Sequence, residues 1–176
     1  EFLNIPSVII TDIDTTRPKE TAKGIRYEAC AVKDVNSCRT SNATITYYLG
    51  APEYKQGDAT YSSWYQNMVN HTANSISTQI YLAYQGEENG YSSRSFEDAF
   101  INVNYANLKD NLDAINGLKN IDCFDNDLTD VYTFTQNVLD EKSDFASSLL
   151  FLAHAKGVKW QAPLYIKEGF EWLLKQ

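Results

Sequence analysis

Little in this sequence speaks for a membrane, a disulfide framework or a zinc site. No apolar run approaches the ~20 residues that a helical span needs. The opening EFLNIPSVII has neither a basic n-region nor a long h-region, so a soluble, cytoplasmic protein with no membrane partner is expected. Cysteine is scarce: Cys30, Cys38 and Cys123 are odd in number and form no C-x-x-C pair, which predicts free buried thiols. The two histidines, His71 and His154, are isolated; His154, inside the apolar stretch SSLLFLAHAKG, reads as a packing residue, and neither joins a candidate site. Asn42 and Asn70 open N-x-T triplets that carry no weight without a secretion signal. Basic residues are in deficit, 15 against 23 acidic ones, for a formal net charge of −8. That argues against a nucleic-acid binder working by phosphate neutralisation alone. It leaves room for a metal-dependent nuclease, where bound divalent cations reverse the local sign. Internal repeats, low-complexity tracts and linkers are also missing.

What is present reads as one folded domain of 176 residues, with 43% hydrophobic and 22% charged residues. Residues 7 to 11 form a short β-branched strand ended by Asp12, with Arg17-Pro18 turning the chain away. YEACAVK, 27 to 33, is a second strand. TSNATITYYL, 40 to 49, mixes a cap signal at Ser41 or Asn42 with strand-like residues and is read as a helix. Residues 51 to 75 read as a polar, tyrosine-rich surface excursion with one short helix. ISTQIYLAYQ, 76 to 85, is a strand closed by the turn-like GEENGYSS. The clearest helix is SFEDAFINVNYANLKDNLDAINGL, N-capped by Ser95 with Asp98 three residues on, and stopped at Gly117. Another runs from Asp144 to Lys156 between Ser143 and Gly157, and a last one follows Pro163. Strands alternating with helices give an α/β class with a partly parallel sheet flanked by helices.

The chemistry begins with Asp12 and Asp14 in SVIITDIDTT. Open α/β sheets place ligands at the carboxyl end of a strand. Two carboxylates one residue apart on an extended chain share a face and can hold one hard cation. Two enzyme families place D-x-D there. Haloacid-dehalogenase-like phosphatases use D-x-D-x-T, which DIDTT meets through Thr16, with the first aspartate as nucleophile. They also need a late apolar strand ending in acids, and the only late cluster, Asp122, Asp125, Asp127 and Asp130 in NIDCFDNDLTD, follows no strand-like run.

Further stretches favour the other family. RTSNATI at 39 to 45, RSFEDAF at 94 to 100, EKSDFASSLL at 141 to 150 and the closing WQAPLYIKEGFEWL, together with ITDID, occur in this order. The chain thereby resembles, over nearly its whole length, the carboxy-terminal topoisomerase-primase (Toprim) domain of overcoming-lysogenisation-defect (OLD) family nucleases, a family that includes the nuclease subunit of Gabija anti-phage systems. The resemblance implies a Toprim-like α/β fold over residues 1 to 176 and a two-metal, Mg²⁺- or Mn²⁺-dependent DNA endonuclease. It makes Asp12 and Asp14 ligands of a first ion, Glu97, in S-x-E with Ser95, a ligand and catalytic group at a second, and Lys142 a catalytic cation. Thr40, Ser41, Asn42 and Ser95 line the site or cap helices. The implied partners are DNA, an upstream ATPase domain, a second copy of the chain and a helicase in a defence system.

Toprim domains also carry a glutamate upstream of D-x-D. Glu1 is too close to Asp12 to fill that position, so the first strand and helix with their glutamate are expected to come from another segment. The chain by itself is then expected to be inactive and to expose a sheet edge. The non-enzyme alternative is a regulatory or interaction domain that keeps the Toprim core without its chemistry.

Overall fold

Val8, Ile9 and Ile10 favour extended backbone because branching at Cβ restricts their rotamers, and they open the architecture as strand β1 (Ser7–Ile10). The computed structural model describes residues 5–72, 79–126 and 128–176. Glu1, residues 73 to 75 of the expected excursion, 76 to 78 of the expected strand and Asp127 of the acid cluster lie outside the described residues. After β1 come β2 (Thr15–Thr21), β3 (Gly24–Ala29), β4 (Arg39–Thr40), α1 (Ala43–Tyr48), α2 (Ala59–Val69), β5 (Ile80–Ala83), β6 (Glu87–Glu88) and β7 (Tyr91–Ser92). The chain continues through α3 (Phe96–Lys109), α4 (Val131–Val138), α5 (Lys142–Ala155) and α6 (Leu164–Leu173). It divides into two units: Glu1–Phe96 with Pro163–Gln176, and Glu97–Ala162.

In the first unit β1 and β5 form a parallel pair, Ser7 opposite Ile80 and Ile10 opposite Ala83. Among the described residues this pair has no third strand. Helix α6 lies on it so closely that a Cβ on Gly169 would stand 2.9 Å from Val8 Cγ1 and 3.2 Å from Ala83 Cβ. Trp172 stacks on Tyr81 one turn further along, with centroids 5.7 Å apart. A second sheet has the order β3-β2-β4, all antiparallel. Arg17-Pro18 thus lies inside β2 and does not turn the chain away. β4 reaches only Thr15 and Thr16, so the other edge of β2 is open at Pro18, where a missing N–H is tolerated. The strand expected at 27–33 begins earlier and ends at Ala29, because Gly24, at φ +106°, closes a hairpin from β2.

The excursion, exposed along much of its described length, sends one face of its helix inward. Tyr61, Tyr65 and Met68 of α2 enter a core with Ile13, Val32, Ile45, Leu82 and Tyr84, and Tyr84 donates its hydroxyl to the Met68 carbonyl at 2.9 Å. Burial pushes the Tyr65 and Tyr84 phenols well above their ordinary range. Helix α1 starts where Asn42 accepts from the Thr44 and Ile45 N–H groups. GEENGYSS is the β6–β7 hairpin, with Asn89 and Gly90 both at positive φ.

In the second unit α3 ends at Lys109, short of Gly117, and a 3₁₀ turn follows at Leu112–Ala114. Asp110 and Asn111 are poor helix formers at that point. α5 starts two residues earlier than expected, so Ser143 is helical and accepts, through its carbonyl, the Ser147 hydroxyl. His154 is exposed, not packed. The cysteines are free, with Cys30 buried and Cys38 and Cys123 partly so. No helix among the described residues is long and apolar enough to cross a membrane.

Candidate active site

The first unit places Asp12 and Asp14 just past β1, on a loop whose backbone is held at nearly every step. Thr11 N–H still donates to the Ala83 carbonyl at 3.0 Å. Ile13 anchors the loop with a fully buried side chain. Its N–H donates to Gln85 Oε1 at 2.7 Å, and its carbonyl accepts the Thr40 hydroxyl at 2.6 Å. The Asp12 carbonyl accepts from Asn42 Nδ2 at 2.6 Å, and the same amide donates to Thr11 Oγ1. The Asp14 carbonyl accepts from the Ser41 N–H at 3.0 Å and from its hydroxyl at 3.3 Å. Thr40, Ser41 and Asn42 therefore act on the loop's carbonyls, and Asn42 does so while capping α1 with its other side-chain atom.

Asp14 is left-handed, at φ +48°. The extended alternation expected to align the two carboxylates therefore does not hold there; aspartate is among the few non-glycine residues that tolerate this backbone. Both aspartates nonetheless line one open cleft of about 360 Å³, with Thr11, Asn42, Phe96 and Tyr165 among its walls. Asp12 Oδ1 accepts from Gln85 Nε2 at 2.6 Å and from the N–H of Phe96, which opens α3, at 2.9 Å. A helix N-terminus favours such an anion. Asp14 Oδ1 pairs with an Arg94 terminal nitrogen at 3.0 Å, while Arg94 Nε donates to the Thr15 carbonyl at 3.0 Å.

In the second unit Glu97 and Lys142 form an ion pair of 2.9 Å, the glutamate side chain 14% exposed and the lysine 65%. Glu97 sits in the first turn of α3 and Lys142 is the first residue of α5. The helices are brought together by Phe100 against Phe145, edge to face at 6.2 Å. Gly117 backs the start of α5: its carbonyl accepts the Asp140 and Glu141 N–H groups at 2.9 and 3.1 Å. The second carboxylate oxygen of Glu97 is buried with no hydrogen-bond partner among the described residues. Ser95, next to this helix start, is buried.

Sequence reasoning missed Gln85, Arg94 and Tyr165. Gln85, only 2% exposed, touches the Ile13 amide, the Asp12 carboxylate and the Tyr165 hydroxyl at once. Its one signal is a polar residue at the end of the apolar run IYLAYQ. The late acid cluster follows no strand: Asp122 and Asp125 lie on a 3₁₀ turn and Asp130 caps α4. Among the described residues no three or more histidine, cysteine or acidic side chains come together as a ready metal cage; the cleft of the first unit offers two.

No family model matches this sequence, and no solved structure does. Over 187 aligned residues the chain is 30% identical to endonuclease GajA of Bacillus cereus (strain HuB5-5), an alignment that takes in all of this chain and 25% of that protein. The chain thus spans about a quarter of the length of the curated relative it matches.

Proposed function

We propose that the chain is the Toprim-like nuclease part of an OLD-type, metal-dependent DNA endonuclease. The observation that carries the reading is the loop of Asp12 and Asp14, held by five side chains from elsewhere in the sequence so that two acids border one cleft. Two carboxylates that border one cleft can hold a hard cation. Whole-chain similarity to an endonuclease supports the same reading.

The donor set suits hard divalent ions, because every candidate ligand is a carboxylate oxygen. Glu97 adds a buried oxygen without a hydrogen-bond donor, which a cation would satisfy. On this reading Asp12 and Asp14 hold a first Mg²⁺ or Mn²⁺ and Glu97 contributes to a second. Bound ions of this kind supply the charge that activates water and offsets the leaving oxygen. The chain's own residues do the rest. Gln85 and the Phe96 N–H orient the Asp12 carboxylate, Arg94 orients that of Asp14, and the Lys142 ammonium stabilises negative charge on the scissile phosphate. An ATPase part of the same protein, self-association and a helicase partner complete the proposal by family resemblance.

The test is cleavage of supercoiled plasmid with Mg²⁺ or Mn²⁺ by the protein at the full length its gene encodes, beside Asp14→Asn and Lys142→Ala. Metal-dependent cutting that both substitutions abolish is expected. An intact protein that neither cuts nor binds Mn²⁺ would overturn the reading in favour of a non-catalytic domain.

A further inference from the structure

Arg39 occupies a setting unlike that of the other partly buried arginines. Arg17 meets Glu28 and Asp34, and Arg94 meets Asp14. Arg39 lies over the rings of Tyr27 and Tyr54, its guanidinium carbon 4.6 and 4.9 Å from their centroids. Those rings are fixed by one another, edge to face at 5.6 Å with their hydroxyls hydrogen-bonded at 2.9 Å, and Tyr54 packs in turn on Tyr61 at 4.7 Å. The guanidinium is thus pre-oriented by aromatic faces. Among the described residues no carboxylate pairs with it, and its buried Nε donates to nothing. In a chain with 23 acidic and 15 basic residues, a half-buried arginine without an acid is an anion acceptor in waiting.

Arg39 lines an open cleft of about 350 Å³, walled also by Thr46, Tyr47, Pro52, Tyr54 and Tyr61, with no acidic residue in its lining. The guanidinium offers donors, and Tyr47, 79% exposed and edge to face with Tyr48 at 5.1 Å, offers an accessible aromatic ring. The segment Arg39–Asn42 also borders the carboxylate cleft: Asn42 lines it, and Thr40 holds the loop that forms it.

We infer that the Arg39 cleft is a subsite for one nucleotide of a single strand, the guanidinium taking a phosphodiester group through its planar fork and Tyr47 stacking on the base. The inference deepens the nuclease reading and rests on it for the class of ligand. It predicts that the strand is held by residues separate from those that carry the chemistry.

The experiment is fluorescence anisotropy of the chain with labelled oligothymidylate at low salt in EDTA, so that binding is read without metal or cutting. Arg39→Ala is expected to weaken binding about tenfold or more, with Arg39→Lys in between because it keeps the charge and loses the fork. Tyr47→Ala is expected to weaken oligothymidylate about fivefold or more and to leave an abasic strand of the same length unchanged. Tyr47 is exposed, so this variant stays informative if Arg39→Ala fails to fold. Equal affinity of wild type and Arg39→Lys or Tyr47→Ala, or no binding by the wild type, overturns the subsite. Thymidine monophosphate competing as well as the strand overturns the strand assignment. Oligonucleotide binding that follows these variants in a protein that never cuts plasmid would remove the nuclease reading and leave the subsite standing.

Discussion

Replacing Gln85 by leucine tests whether one buried amide holds the candidate site together. The substitution keeps the side-chain volume and removes three contacts: the acceptor of the Ile13 N–H at 2.7 Å, the donor to Asp12 Oδ1 at 2.6 Å and the partner of the Tyr165 hydroxyl at 3.2 Å. Leaving the buried Ile13 N–H unpaired costs about 1–3 kcal/mol, and losing a hydrogen bond to a charged group about 1.5–3 kcal/mol. Asp12 keeps the Phe96 N–H and borders an open cleft where water can take over, and the leucine regains apolar burial, so the net loss is about 2–4 kcal/mol. In a chain of this length that lowers the melting temperature by about 10 °C. Positioning groups of this kind typically change metal affinity by about 10–100-fold. The assay is thermal unfolding by circular dichroism together with Mn²⁺ titration calorimetry. A melting point within about 2 °C of wild type with unchanged Mn²⁺ affinity would refute the reasoning. Gln85→Glu separates the two roles, because it keeps the acceptor for Ile13 and sets a second carboxyl against Asp12. Burial and the Asp12 charge raise the pKa of that new carboxyl above its unfolded value, so its penalty is absent at low pH and grows as pH rises toward the raised pKa.

Two further outcomes follow from local geometry. Gly117→Ala places a Cβ, at a φ of +80°, within 2.3 Å of the Glu141 carbonyl and 2.6 Å of the Phe145 nitrogen. Both are backbone atoms that cannot give way cheaply, so a loss of about 3 kcal/mol or more is expected in urea unfolding; wild-type stability would contradict the close approach that backs Lys142. The Glu28 carboxyl is held below its ordinary range by Lys19 and then Arg17. A depressed folded pKa means that its contribution is complete above the unfolded value of about 4.3 and is lost as pH falls through the folded one. The melting-point gap between wild type and Glu28→Gln should therefore be present at pH 7, small because the pair is partly exposed, and should close in acid. A gap of constant size down to about pH 3 would reject the assignment.

Local chemistry made a good part of the site readable. The β-branched run before Asp12, the capping amide of Asn42 and the helical spacing of the apolar residues from Phe96 onward each act over a few neighbours, and each element begins where that physics puts it, although the helix from Phe96 stops at Lys109. The misplacements share one cause. Tyr61, Tyr65 and Met68 looked polar and peripheral in a tyrosine-rich stretch, yet a tyrosine buries its ring as readily as it wets its hydroxyl, and only the shape of the core decided which it did. Arg17-Pro18 read as a turn because the open edge that accommodates the proline belongs to a sheet built from three separated segments.

The sequence by itself determined that two acids follow a short β-branched strand, that acids outnumber bases, and that its ordered stretches resemble those of a nuclease family. Tertiary structure alone decided what surrounds those acids. Gln85 reaches Ile13 and Asp12 across 72 and 73 residues and Tyr165 across 80, and Arg39 lies over two tyrosine rings with no acid paired to it among the described residues. Separations of that length carry no periodic trace. They are set when the chain buries its apolar faces, and the polar groups that this burial strands must find one another.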